Sequence, residues 1–176
     1  MKKNKKIIVV IQARVNSSRL PNKVLLKLNG LPTIIRMIER VKLSKLVDEI
    51  WVATGESKVN DKLVNILVSS NIKVMRGDDL DVLSRYVKVT KKTGANIIVR
   101  LTADCPLIDA NIIDMTIKLL IDRKADYASN ILRRTYPDGL DVEAFTSDTL
   151  IKTVENVDNK FSKEHVTTYM HGLHKN

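Results

Sequence analysis

The sequence has 176 residues, 44% of them hydrophobic and 28% charged, with a formal net charge of +10. That length and apolar share suit one globular domain with a sizeable core and exclude wholesale disorder. A single cysteine, Cys105, excludes an internal disulfide and a zinc cluster, and the apolar run Ile7 to Ile11 is too short for a signal h-region or a membrane span. A soluble, cytoplasmic protein is therefore expected. The basic excess, which includes Lys2, Lys3, Lys5 and Lys6 ahead of the first strand, suits a solvated lysine-rich surface or attraction to a polyanion. No helix-turn-helix pattern or aromatic platform accompanies it, so nucleic acid is not the expected partner.

Aromatics are only 4%, so the core must be built from Ile, Val and Leu, a composition that favours parallel strands buried on both faces. Taken in chain order, residues 7–12 (IIVVIQ) read as a buried strand, followed by a loop carrying Pro21. Residues 31–44 have helical apolar spacing, with Pro32 suited to a first turn. Strand 49–54, helix 59–69, strand 72–75 and helix 81–92 follow, the last ended by Gly94 as a cap. Strand 96–101, a helix over 110–123 capped by Asp109, and a shorter strand over 125–130 complete the alternation. Residues 131–146, with Pro137 and Gly139, read as a loop or hairpin excursion, and helices are expected over 147–156 and 162–172. Strictly alternating β and α segments predict a three-layer α/β/α architecture with a mostly parallel, doubly wound sheet. Ligands of such sheets bind beyond the carboxyl ends of the strands, which directs attention to residues 12–23, 54–58, 76–81, 102–106 and 130–143.

The loop after the first strand, IQARVNSSRLPNK (11–23), places Arg14, Arg19 and Lys23 around Ser17 and Ser18. Three cations and two hydroxyls within ten residues suit a triphosphate, because Arg offers paired donors to phosphate oxygens and Lys a mobile point charge. The glycines of a Walker loop are absent. At the carboxyl end of strand 96–101, Asp104 is placed either to hold a hard cation or to cap the turn before Pro106. Cys105 beside it has no activating base in the sequence nearby and is read as structural. Arg100 interrupts the apolar strand NIIVRL, where a charge needs a carboxylate partner or a role at the site. Asp138, Asp141 and Glu143 cluster with Arg133 and Arg134 in the excursion, either as a charged surface hairpin or as groups that bind a second substrate. His165 reads as a general base or as a satisfied helix histidine, and His171 and His174 carry little signal.

The strings QAR…SSRLPNK and LNGLPTIIRMIER, followed by DEIWVAT (48–54), DVLSRY (81–86), RLTADCPLID (100–109), TYPDGLDVE (135–143) and EHVT (164–167), resemble the cytidylyltransferases that make CMP-sugars. Within that family they are similar to the proteins called spore coat polysaccharide biosynthesis protein F. The resemblance covers essentially the whole chain. It implies a glycosyltransferase-A-like fold, Mg2+ as cofactor, and CTP and an acidic or surface-polysaccharide sugar as substrates, with pyrophosphate released. It places Ala13, Arg14, Ser18, Arg19, Lys23, Thr54, Arg85, Thr102 and Ala103 near the nucleotide. It assigns Arg14, Lys23 and Asp104 to catalysis and Asp104 to the metal, with Asp141 as a further metal candidate and Asp138, Asp141 and Glu143 as candidates for the sugar. Two departures stand out. The family pattern ATSD or ATD after the second strand is here Ala53, Thr54, Gly55 and Glu56. A segment resembling VDTPEDL, whose first aspartate gives the metal a second carboxylate, does not occur in residues 1–176. The expectation is a single nucleotidyltransferase domain over 1–176 that lacks the family's C-terminal segment. A homodimer paired through the C-terminal helices is expected as well. The alternatives are a glycosyltransferase using a nucleotide-sugar and a truncated nucleotide-binding protein without turnover.

Overall fold

The computed structural model describes residues 5–17 and 19–172. Ser18, Lys2, Lys3 and His174, named above, lie outside the described residues. The strand β1 (Ile7–Gln12) leads through a short 3-10 turn at Lys23–Leu25 into a hairpin of β2 (Lys27–Leu28) and β3 (Leu31–Pro32), then α1 (Thr33–Val41). Next come β4 (Glu49–Gly55), α2 (Asp61–Ser69), β5 (Lys73–Gly77), α3 (Val82–Thr93), β6 (Ile97–Thr102) and α4 (Ala110–Asp122). The chain continues with β7 (Tyr127–Ser129), β8 (Glu143–Thr146), α5 (Ser147–Asn156) and α6 (Lys160–His165).

Six strands form one sheet in the order β5-β4-β1-β6-β8-β7. The pairs β1–β4, β4–β5 and β1–β6 are parallel, and β8 runs antiparallel to β6 and β7. β1 lies at the centre and both its faces are covered, which is why its sequence is a continuous β-branched run. Val9 and Ile11 pack into one cluster with α1, α2 and α4, through Ile34, Ile38, Leu63, Leu67, Ile113 and Ile117. Ile8 and Val10 pack into the opposite cluster with Leu83, Tyr86 and Val89 of α3, Leu150 of α5 and Met170. The architecture is thus the expected three-layer α/β/α sandwich.

Asp109 and Gly94 cap their helices as expected, and Asp81, read as the first residue of a helix, is its N-cap instead. Asp81 accepts from the Ser84 amide, Asp109 accepts from the Asn111 amide, and Gly94 takes φ 65 as the cap of α3.

Two segments differ from expectation, and a third decides between two readings. Residues 27–32, partly read as helix, form a two-residue hairpin in which Asn29 (φ 49) and Gly30 (φ 84) supply the positive dihedrals such turns require. Residues 143–146, at the end of the stretch read as a loop or hairpin excursion, form β8, which pairs antiparallel with β7 and is inserted between it and β6. Both faces of this strand are covered, so no polar alternation marks it, and its pairing with β6 decides it. The helix expected over 162–172 stops at His165, because Val166 adopts φ 60, ψ −55, and only a 3-10 turn follows at Met170–Gly172.

Candidate active site

Strands are added outward from β1 to β4 and β5, and the chain then returns to place β6 on the other side of β1. The gap between helices at such a reversal, outside the strands' carboxyl ends, is where open α/β sheets bind ligands. Gln12 of β1 pairs with Thr102 of β6 at that point. A cleft opens above them. Its floor is Gln12, Ala13, Thr102 and Ala103. Arg14, Ser17, Arg19 and Lys23 come from the loop after β1, and Asp104 from the loop after β6. Val82 and Arg85 reach in from α3, and Glu164 and His165 from the end of α6.

The basic loop is held by its backbone. The Val15 amide donates to Asn60 Oδ1 at 3.1 Å, and the Ser17 and Asn22 amides both donate to the Val15 carbonyl, closing the loop on itself. Asn22 takes φ 58, a conformation that Asn tolerates better than most residues. Asn60 is in turn 3.4 Å from Asp79 Oδ1, and Asp79 Oδ2 accepts from the Ser57 amide. The Asp79 carboxylate sits where a side chain at position 55 would be: a Cβ there would lie 1.8 Å from Oδ1. That close approach gives the departure Gly55 a structural reason, since a larger residue would displace the anchor of the loop.

Lys23 Nζ donates to Asp104 Oδ2 at 2.9 Å. Burial pushes the Asp104 carboxyl up, but hydrogen bonds from Lys23 and Thr102 outweigh it and hold the group below its ordinary value, hence ionised at neutral pH. Arg14 forms an exposed ion pair with Glu164 across the cleft mouth at 3.2 Å. Arg85 is the unusual member. The residue is only 3% exposed, its Nε is sealed from solvent with no acceptor, and among the described residues it makes neither a hydrogen bond nor an ion pair. Burial lowers its pKa and Arg14 adds to the effect, while Tyr86 and the nearby carboxylates Asp79 and Asp78 oppose it without reaching ion-pair distance. An unpaired guanidinium in a low-dielectric wall is expensive to hold unless a ligand answers it.

Of the residues expected near a nucleotide, Ala13, Arg14, Arg19, Lys23, Arg85, Thr102, Ala103 and Asp104 line this cleft, and Ser18 lies outside the described residues. Thr54 does not join them. It alternates with Ala53, shares the face of Val52, and is fully buried with its hydroxyl unpartnered. Glu143 is corrected as a sugar-binding candidate. It is buried, ion-paired with Arg100, and accepts from Tyr127 at 2.7 Å with His171 Nε2 at 3.2 Å. Burial raises its carboxyl, but His171, Arg100, Tyr127 and Thr167 together bring it down to about 2. Arg100 thus has the carboxylate partner its place in a strand demanded. Asp138 and Asp141 both pair with Arg134 and are not among the residues lining the cleft, though Asp141 lies near enough to Cys105, beside Asp104, to help raise its thiol. His165 lines the cleft at the end of α6, its ring tilted against Phe161 with centroids 4.4 Å apart. Burial raises the Cys105 thiol, which keeps it protonated and fits a structural role.

Among the described residues no group of three His, Cys, Asp or Glu side chains gathers as a ready metal cage. A single ionised carboxylate, Asp104, faces the basic loop, and magnesium is commonly held by one or two carboxylates completed by ligand oxygens and water. Sequence reasoning passed over Gln12, Asn60 and Glu164. Gln12 ends an apolar strand, and the other two act through contacts 45 and about 150 residues distant in sequence. For Glu164 a signal was present in the EHVT string.

Residues 8–174 match the family described as cytidylyltransferase. The chain is 32% identical over 170 residues to the spore coat polysaccharide biosynthesis protein SpsF of Bacillus subtilis, covering 93% of this chain and 69% of that protein. It is 34% identical over 158 residues to a 3-deoxy-manno-octulosonate cytidylyltransferase of Francisella tularensis subsp. novicida, covering 87% of this chain and 60% of that one. It is also similar to the solved structure of a cytidylyltransferase from Leptospira borgpetersenii, with a TM-score of 0.91 and 34% identity over 96% of this chain and 72% of that chain. The chain therefore spans about two thirds of the length of the relatives it matches.

Proposed function

Because this chain belongs to the cytidylyltransferase family, we propose that it transfers CMP from CTP to a hydroxyl of an acidic or surface-polysaccharide sugar. The hydroxyl oxygen attacks the α-phosphorus, the bond to the β-phosphate oxygen breaks, pyrophosphate leaves, and the hydroxyl proton passes to solvent. The observation that carries the reading is Arg85, a buried and unpaired guanidinium in the wall of a cleft whose opposite loop holds Arg14, Arg19 and Lys23. Four cations around one cleft, against Asp104 and Glu164, call for a polyanionic ligand.

In this reading Arg14, Arg19 and Lys23 bind the phosphates and stabilise the charge that moves onto the leaving pyrophosphate. Arg14 exchanges Glu164 for a phosphate oxygen as ligand enters. The backbone anchor through Val15, Asn60 and Asp79 keeps the loop in place, so that little ordering is left for the moment of binding. Asp104 would hold Mg2+, which would neutralise phosphate charge and orient the nucleotide. The names of the relatives support a surface sugar as acceptor, since one concerns spore coat polysaccharide and another 3-deoxy-manno-octulosonate. A homodimer belongs to this reading too, with the exposed Ile151, Val154 and Phe161 of α5 and α6 as its apolar contact. Among the described residues no helix is long and apolar enough to cross a membrane.

The test combines calorimetry with a pyrophosphate-release assay on the purified chain, using CTP, Mg2+ and a panel of acidic and neutral sugars. Saturable CTP binding with sugar-dependent pyrophosphate is expected. CTP binding without pyrophosphate from any sugar would reduce the reading to nucleotide binding alone, and no CTP binding would sink it.

A further inference from the structure

The cations of the cleft account for phosphates and leave the base unexplained. Gln12 ends β1 where the strand order reverses, with Ala53 of β4 on one side and Thr102 of β6 on the other. Its half-buried side chain lines the cleft. Arg100 Nε donates to Gln12 Oε1 at 3.2 Å, and the Tyr86 hydroxyl lies 3.5 Å from the same oxygen. A guanidinium carries donors and no acceptor, so the amide must turn its oxygen to Arg100 and its NH2 the other way. Among the described residues that NH2 has no acceptor, and it is not one of the side-chain nitrogens sealed from solvent.

Arg100 is not free to release it. The other side of its guanidinium is ion-paired with Glu143, which is only 3% exposed and is itself held by Tyr127 and His171. Gln12 is thus the exposed end of a buried polar chain, and its amide has one orientation. Around it the floor is neutral. Ala13 and Ala103 are short enough for a flat ring to lie close, while Arg14, Arg19 and Lys23 stand along the loop.

We propose that Gln12 reads the base, its NH2 donating to the N3 and O2 edge of cytosine and so selecting a cytidine over a uridine nucleotide. The inference rests on the reading of the cleft as a nucleotide site. Cytosine N3 carries a lone pair, whereas uracil N3 carries a hydrogen, so the same amide meets an acceptor in one base and a donor in the other. A site that matches one donor pattern discriminates through the unpaired groups left by the wrong base. Arg100 acts as a positioning residue, through Gln12.

The experiment measures affinities for CTP, UTP and inorganic tripolyphosphate by calorimetry in the wild type and in Gln12→Ala, Gln12→Glu and Arg100→Lys, each checked for folding by thermal melting. Wild type should prefer CTP by at least about tenfold, the size of one well-made hydrogen bond against an unpaired donor. Gln12→Ala should bring the CTP/UTP ratio to near one while leaving tripolyphosphate binding in place. Gln12→Glu, which offers the base an acceptor, should carry the ratio below one. Arg100→Lys keeps a cation against Glu143 but loses the fixed Nε, and should lose discrimination without losing tripolyphosphate. An unchanged ratio in Gln12→Ala, or equal binding of both nucleotides by wild type, overturns the role of Gln12 and leaves the nucleotide site standing. A wild type that binds tripolyphosphate, CTP and UTP not at all overturns the nucleotide site itself, and this inference with it.

Discussion

Replacing Glu143 by Leu removes the carboxylate at the centre of the buried chain. Arg100, whose side chain is 12% exposed, would keep its charge and lose its only acidic partner among the described residues. Removing one member of a buried pair costs about 3–5 kcal/mol, because the other charge stays desolvated. The carboxyl group gives a second route to the magnitude. It titrates at about 2 in the fold against an ordinary 4.5, and a gap of about 2.5 pH units is worth about 3 kcal/mol at 1.36 kcal/mol per unit. The two agree, and either is a large part of the ~5–15 kcal/mol that holds a domain folded. The sign follows from the folded value being the lower one. The unfolded chain binds the proton more readily, so this stabilisation is complete above about pH 4.5 and is lost as pH falls towards 2. Urea denaturation from pH 7 to pH 2.5 should therefore show Glu143→Leu less stable than wild type by about 3–5 kcal/mol at pH 7, with the difference closing in acid. The double variant Glu143→Leu with Arg100→Met should recover part of the loss, since neither charge then remains buried. A single variant within about 1 kcal/mol of wild type, or a difference that ignores pH, would refute this account of the network.

Arg85→Met should separate binding from stability in an uncommon direction. It removes an unpaired buried cation, so thermal melting should hold or rise while triphosphate affinity falls at least about tenfold; a lower melting temperature with unchanged affinity would make Arg85 a structural residue. Lys23→Met breaks a pair whose side chains are 26% and 42% exposed, so stability should move by less than about 1 kcal/mol while calorimetric CTP affinity drops; retained affinity counts against a phosphate role. Cys105 should react with a thiol reagent at pH 8 more slowly than an unperturbed cysteine and accelerate at higher pH, since burial raises its pKa; fast labelling at pH 8 contradicts that burial.

The sequence was most informative where one segment carries its own signal. The buried run of β1, the caps Asp109 and Gly94, and the basic residues 14, 19 and 23 are local patterns, and each stands where those patterns placed it. Strand β8 stayed open between loop and hairpin because its residues have no period of their own. They become a strand only through pairing with β6, and that pairing joins Glu143 to Arg100. Thr54 shows an outright error. A residue near the right strand end is fully buried with its hydroxyl unpartnered and does not line the cleft, which the packing around β4 decides.

What the sequence determined by itself was the layer architecture, the family resemblance and the charge of the cleft, because periodicity and composition act within short windows. Only the tertiary structure decided which charges are spent internally and which remain for a ligand. Glu143, Asp138 and Asp141 are acidic candidates of one loop region, yet the fold pairs each of them with an arginine. Arg85 and Arg100 are both inward-facing arginines, and the fold gives a carboxylate to Arg100 and none, among the described residues, to Arg85. The difference lies in pairings between residues far apart in the chain, where burial makes an unmet charge or a free amide count far more than it would in water.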